Sequence, residues 1–387
     1  NNAMARNIEE NWLGRLEKMS NLIKIWSVRD LSIHGKLVVI KTFLVSQFTF
    51  VMQSVGLPDA VLQKVNRILF KFLWQRRFCN KRAFEKVKRK ILQGDYCNGG
   101  LKMVDMQFMQ ECYYLQWAGK LHAGNGENWT YIPKWNYSPL AKGLGVFEFN
   151  CKPEKAKMLH LIKNEFWRNV LTTYLKNKTI ITSENVTEFN FYEQMLFNNN
   201  LNCYKKQTLL FSKWINNGIE KVKDLINTHE RRLLTVEEVQ NKIKGNIAAV
   251  IFEYNAIFNA LPISWKNWVS NGNIDYNNEH QQPTLCEVSI FNTKTKNIKL
   301  ILEKTSNNTI LLPRANTIWQ TKLGVEITEE MWIMSRKATK ETRLRELQWK
   351  LLHNIYPTNI LLTKMKVSET ELCDYCKTHI DFTEHFF

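Results

Sequence analysis

Cys373-Asp374-Tyr375-Cys376, followed by His379 and His385, is the part of the chain with the clearest capacity for chemistry. Two thiolates separated by two residues can share one tetrahedral ion, and a nearby imidazole supplies a third ligand. Cys373, Cys376 and His385 are therefore predicted to hold one structural zinc, with His379 as a further candidate ligand. A redox role for the pair is disfavoured, because no βαβ pattern surrounds it. The remaining cysteines, at 79, 97, 112, 151, 203 and 286, are scattered singly through the chain, which excludes a secreted disulfide framework.

A second chemistry is suggested by charge. Lys71, Arg76, Arg77, Lys81, Arg82, Lys86, Lys88, Arg89 and Lys90 stand against the single acid Glu85, with Phe72, Trp74, Phe78 and Phe84 interleaved. Aromatic anchors among cations can present positive charge to phosphates, and counterion release on contact supplies sequence-independent affinity. The whole chain carries a net charge of +18, which favours a polyanionic partner, either nucleic acid or an acidic membrane surface.

Other chemistries lack their residues. A two-metal polymerase or nuclease site needs clustered carboxylates, yet the eight aspartates are widely scattered and none is adjacent to another. Gly35-Lys36 lacks the upstream glycine of a phosphate-cradling loop, and neither His-Glu-x-x-His nor Gly-x-Ser-x-Gly occurs. An open three-ligand zinc at Cys373, Cys376 and His385 could activate water, but few residues there could shape a substrate pocket.

The elements that must position these groups read as mostly α. Leu13, Leu16, Met19, Leu22, Ile23 and Trp26 keep a three-and-four spacing, and a second periodic run follows Ser32, which predicts two helices joined by a short basic turn. The uncharged stretch Thr42 to Pro58 is interrupted by polar residues at near-helical intervals and is shorter than a bilayer span. It is predicted to be a buried amphipathic helix. Pro58 and Asp59 mark a stop and an N-cap. Beyond them Val61, Leu62, Val65, Ile68, Leu69, Phe72 and Leu73 are expected to form one continuous apolar face, while Lys64, Arg67 and Lys71 share a different one. Asn98-Gly99-Gly100 is a turn, and a further periodic run covers residues 101–121.

Residues 123–145, rich in Gly, Asn, Pro and Trp, read as a loop-rich connection rather than core, and residues 177–203 as Asn-rich and irregular. Thr235 and Glu238 have the spacing of a capping box. Only 285–303, with alternation around Val288, Ile290, Ile298 and Leu300, suggests a pair of short strands. Four segments follow. A helical unit with the basic cluster covers 1–125, and an Asn-rich connector containing one helix covers 126–205. A mainly helical middle region with a short β pair covers 206–335, and 336–387 forms a helix plus the Cys/His end. Asn1 to Trp12 is polar and mixed in charge, unlike a signal peptide, so an intracellular location, cytoplasmic or nuclear, is expected.

Several of these segments together resemble a known family. Trp26-Ser27-Val28-Arg29-Asp30-Leu31-Ser32-Ile33-His34-Gly35-Lys36, then Pro58, Phe72-Leu73-Trp74 and Gly99-Gly100-Leu101, resemble the region immediately after the palm of LINE-type, non-LTR retrotransposon reverse transcriptases. Trp214-Ile215-Asn216-Asn217-Gly218-Ile219 with Asp224-Leu225-Ile226 is similar to a recurring middle segment of these proteins. The run from Leu347 to Asn359 (LQWKLLHNIYPTN), followed by Cys373, Cys376 and His385, looks like the helix and zinc knuckle that close such polyproteins.

The resemblance implies a thumb-like helical unit that grips template and primer, and a C-terminal region that helps bind the element's RNA. It places Arg29, Lys36 and Lys41 near that duplex. It also implies that fingers and palm, with their Asp-Asp motif, would precede Asn1, so that this chain is not a polymerase by itself. The knuckle's fourth ligand would be a cysteine a few residues past the histidine. The expected partners are RNA or an RNA–DNA hybrid, with the chain a fragment of a longer reading frame. A basic peripheral membrane or scaffold protein and a non-functional transposon remnant are the alternatives.

Overall fold

The computed structural model describes residues 6, 9–75, 85–123, 128–271, 284, 285, 288, 289, 298, 302, 313–364 and 366–386. Helix accounts for 61% and strand for 5%, so the fold is mostly α, as the periodicity predicts. The chain forms two compact units, the first made of Asn1–Gln110 together with Thr309–Phe387 and the second of Glu111–Asn308. The segments read along the sequence run consecutively. The first unit instead draws its two parts from stretches about two hundred residues apart, a pairing made by tertiary packing that no local composition encodes.

In the first unit a π-helical turn, Glu9–Leu13, leads into the helix Gly14–Ser27. After a short turn containing Arg29, the Ser32 hydroxyl accepts from the Gly35 amide at 3.2 Å and starts Ile33–Val39. A π-helical turn, Ile40–Leu44, then leads to Ser46–Ser54. This is the predicted pair of helices around a basic turn. Trp12, Met19 and Ile23 are buried with Phe48, whose ring stacks on Trp12 at 6.2 Å. The uncharged stretch is amphipathic as expected, with Phe48, Val51 and Met52 buried and Phe50 exposed. Among the described residues, no single helix is long and apolar enough to cross a membrane.

Pro58 occupies the N-cap of Asp59–Trp74 and its side chain makes no capping bond. Asp59, expected as the cap, is instead the first helical residue, where the helix dipole favours its carboxylate. Val61, Val65, Leu69, Phe72 and Leu73 are buried along this helix, each worth roughly 1.5–3 kcal/mol relative to exposure.

The helix Arg89–Gln93 is followed by a tight turn that returns the chain so that the Leu101 and Met103 amides both donate to the Leu92 carbonyl at 3.0 Å. Gly99 sits at φ +74, and a Cβ on Gly100 would lie 2.1 Å from the Gly94 carbonyl oxygen, so both positions require glycine. The helices Glu329–Lys337 and Thr342–Leu352 pack here. Trp349 Nε1 donates to the Gly99 carbonyl at 3.0 Å, and His353 Nε2 lies 2.8 Å from the same oxygen. Trp332 packs on the His353 ring at 4.6 Å between centroids.

The second unit has an aromatic core. Asn164 caps Glu165–Asn177 by accepting from the Phe166 and Trp167 amides. Trp167 and Tyr174 from that helix meet Tyr137 and Phe147 edge to face. Tyr137 donates to the Trp167 carbonyl at 2.9 Å, and Tyr174 to that of Phe147 at 3.2 Å. Residues 123–145, expected as connection rather than core, thus contribute buried Tyr137, Leu140 and Ala141.

The end of the Asn-rich stretch is likewise interior, together with Asn150, whereas residues 182–185 and 187–189 are exposed. Asn150, Asn198, Asn199 and Asn202 are all buried, and their amides bond to main-chain groups of Ile181, Lys157 and Met195. Side-chain amides there supplement a short main-chain pairing, the parallel bridge between Asn150 and Asn199. Thr235 and Glu238 form the predicted capping box ahead of Val236–Ile243. Trp214 is buried and donates to Glu253 at 2.7 Å, and Asp224 accepts from the Glu220 and Lys221 amides. The strand content consists of antiparallel two-residue hairpins. Thr284–Leu285 pairs with Val288–Ser289, at the N-terminal edge of the region predicted to hold strands, whereas Ile298, expected in a strand, is helical. Ile290 and Leu300 lie outside the described residues.

Candidate functional site

The Cys/His end is positioned by helices on its N-terminal side. The Asn359 amide donates to the Asp381 carboxylate at 2.6 Å, and the Asn359 side chain donates to the Leu372 carbonyl at 2.7 Å. Thr383 donates to the Asn354 side chain at 2.6 Å. Within this frame Leu372 and Ile380 form an antiparallel bridge, and the Cys373 amide donates to the His379 carbonyl at 2.8 Å. The Lys377 amide returns to the Cys373 carbonyl at 2.9 Å, with Lys377 itself at φ +56. That left-handed residue closes the turn and aims both cysteines to one side.

The outcome is a group whose ligand atoms lie within 4.8 Å of one another, namely Cys373 Sγ, Cys376 Sγ and a His385 ring nitrogen, and which could hold a metal ion. Cys376 Sγ is 3.4 Å from His385 Nε2 and 3.8 Å from His379 Nδ1. The His379 ring stacks on His385 at 5.7 Å, while its Nδ1 lies 2.9 Å from the Thr378 hydroxyl. His379 therefore stands at the edge of the group, beside Cys376. Hydrogen bonds from the Thr378 hydroxyl and main chain, with further ones from His379, hold the Cys376 thiol down to about 5. That direction favours the thiolate, the form that ligates metals. Two thiols with an imidazole make a donor set suited to a borderline-soft divalent ion.

The predicted phosphate contacts fall into three groups. Arg29, Lys41, Lys64, Arg67, Lys88, Arg89 and Lys90 are exposed, and Lys71 is half-buried on the same helix as Lys64 and Arg67. Arg29 lies over the Trp26 ring at 4.5 Å, and Arg89 lies over Phe70 at 4.5 Å while bonding Glu85 at 2.9 Å. Arg76, Arg77, Lys81 and Arg82 lie outside the described residues.

Lys36 is different from all of these. It is only 8% exposed, and its Nζ donates to the carbonyls of Leu73 and Gln75 at the end of Asp59–Trp74. Burial lowers its pKa. Helix-terminal carbonyls carry partial negative charge, and a lysine on an amphipathic helix can be recruited to them as readily as to a phosphate. Lys86 is half-buried, and burial together with neighbouring Lys350 lowers its pKa.

Lys36 and Lys86 line a common cleft with Arg343, Glu346 and Lys350 of the helix Thr342–Leu352. Arg343, Glu346 and Lys350 are not among the contacts expected from the sequence. Their spacing, at three and then four residues, places them on one helix face and was the available signal. The scan of protein-family models finds no match for this chain, and no curated protein matches it.

Proposed function

We propose that the chain is a nucleic-acid-binding segment from the C-terminal portion of a LINE-type reverse transcriptase, gripping RNA or an RNA–DNA hybrid through phosphates and not polymerising by itself. One observation carries the reading. The Asp59–Trp74 helix commits Val61, Val65 and Leu69 to the core and leaves Lys64 and Arg67 exposed, and Lys88, Arg89 and Lys90 follow as further exposed cations. Such a face neutralises phosphates without reading bases, so affinity is expected with little sequence preference. Additional support comes from the segments that carry the resemblance. Ile33 donates to Glu346, Lys36 reaches Leu73, and Trp349 reaches Gly99, so those segments belong to one packed unit. Zinc is the metal proposed for Cys373, Cys376 and His385, with His379 as the candidate fourth ligand and a structural role for the ion.

The test is a salt series of binding to a labelled RNA–DNA hybrid, using the full chain and a variant with Lys64, Arg67, Lys88 and Lys90 changed to alanine. Each lost phosphate contact should flatten the slope of log affinity against log salt by about 0.9. Weak binding that the substitutions leave unchanged would overturn the reading. Zinc is measured in the same sample under reducing conditions, with one ion per chain expected and its loss expected on Cys376→Ser; a chain that takes up no zinc rejects the metal assignment alone.

A further inference from the structure

A cleft of about 380 Å³ opens in the first unit, a size within the range of small-ligand sites. Its cationic wall is formed by Lys36, Lys86, Arg343 and Lys350, opposed among the described residues by two carboxylates, Asp30 and Glu346. Both carboxylates are already engaged. Asp30 accepts from Arg343 at 3.1 Å, and Glu346 accepts from the Ile33 amide at 2.7 Å while pairing with Lys350. Lys36 is spent on the Leu73 and Gln75 carbonyls. Lys86 has no carboxylate partner among the described residues, although it is half-buried and lines the same cleft as Lys350.

A half-buried cation that lacks a carboxylate of its own favours an anion that completes the site. Two aromatic side chains, Trp74 and Tyr356, also line the space, and a flat ring can lie on either. We infer that this cleft binds a phosphomonoester of nucleotide size, its phosphate between Lys86 and Lys350 and its base against the aromatic wall. A phosphomonoester carries about −1.5 to −2 charge at neutral pH, which matches the excess of cations over carboxylates. The same chemistry is offered by a free nucleotide and by the phosphorylated end of a strand. The inference rests on the cleft and not on the duplex grip proposed above.

The full chain is titrated with adenosine monophosphate and with adenosine, by calorimetry, alongside Lys86→Met and Lys242→Met, the latter an exposed lysine of the second unit. Saturable binding of the monophosphate, at least tenfold weaker for adenosine and at least tenfold weaker in Lys86→Met but unchanged in Lys242→Met, is the expected result. Equal binding of both ligands, no binding, or equal effects of the two substitutions overturns it. Should Lys86→Met fail to fold by circular dichroism, Lys86→Gln replaces it under the same criteria. Two tetranucleotides, with 5′-phosphate and with 5′-hydroxyl, separate the sources: a phosphorylated strand bound as tightly as the monophosphate assigns the strand end, and a weaker one assigns the free nucleotide. Hybrid binding without monophosphate binding removes this site and leaves the duplex reading intact; monophosphate binding without hybrid binding does the reverse.

Discussion

Lys36 in the first unit and Lys178 in the second are buried lysines that both donate to pairs of main-chain carbonyls, Leu73 and Gln75 in one case and Phe147 and Phe149 in the other. Their surroundings differ. Lys178 lies near the Tyr174 ring inside an aromatic core, where burial pushes its ammonium down to about 8 against the opposing pull of Glu148. Lys36 lines a cleft with other cations. Backbone acceptors suffice to hold an ammonium inside a protein, and the neighbouring groups decide whether a ligand can also feel it.

The reach of the polar ties differs as well. In the second unit Lys178 bonds to main chain about thirty residues away, whereas Trp349 and His353 bond to Gly99 across some 250. Closing so long a loop costs entropy that a few well-made contacts must offset. The first unit should therefore be the more sensitive to damage at its closing turn.

The largest expected effect tests that asymmetry at two glycines. A Cβ at Gly100 would meet the Gly94 carbonyl oxygen at 2.1 Å and the Ile91 oxygen at 2.7 Å, both backbone atoms that cannot swing aside. Gly100→Ala should cost more than about 4 kcal/mol. Gly218, at φ +81 with nothing within 4 Å of its would-be Cβ, lies in the second unit. Gly218→Ala should cost only about 1 kcal/mol, from backbone conformation alone. Urea denaturation of both variants decides it, and equal losses would dissolve the contrast between the units.

A pH series sharpens the comparison of the lysines. Protonated Lys178 is penalised in the folded state, where its pKa is about 8, relative to an unfolded value of 10.5. The penalty is present in full below pH 8 and vanishes as pH rises towards 10.5, so stability should rise across that window by roughly 3 kcal/mol from this group. Cys151, pushed by burial up to about 12, works against it above pH 9, because the unfolded thiol ionises first. The quantity to read is consequently the difference between wild type and Lys178→Met, whose urea midpoint should lack the rise. A Lys178→Met profile parallel to wild type would mean that the ammonium is not enclosed as described.

Much of this was readable beforehand where the pattern is local. The apolar spacing from Val61 to Leu73 exposes Lys64 and Arg67 as read, and Thr235 with Glu238 makes its box. Cys373, Cys376 and His385 come together because a short turn places them there. What escaped the sequence is long-range or buried and polar. Nothing adjacent to Lys36 announces that helix-end carbonyls will claim it, and Asn198 and Asn199 look like loop residues until their side chains are seen bonding the main chain of Lys157 and Met195. The cleft needed the Thr342–Leu352 helix to pack beside Lys36, which no window along the chain contains.

The smallest expected effects concern ion pairs. Arg343 and Asp30 meet at 3.1 Å in the first unit with side chains 67% and 54% exposed, so water screens the attraction and competes for both groups. Arg343→Ala should cost less than about 1 kcal/mol. Glu193 in the second unit accepts from Lys221 at 3.0 Å and from Lys223 at 2.7 Å with its side chain 22% exposed. Although burial pushes its pKa up, the two lysines hold it below the usual carboxylate value. Glu193→Gln weakens charge-assisted bonds in a less wet place and leaves two ammonium groups sharing the remaining acids, for a cost of about 1.5–3 kcal/mol. Salt separates the pair further, since added salt should erase most of the Arg343 effect and little of the Glu193 effect. Equal costs at low and high salt for both would mean that exposure is not what divides them, and the two units would then hold their surface charges alike.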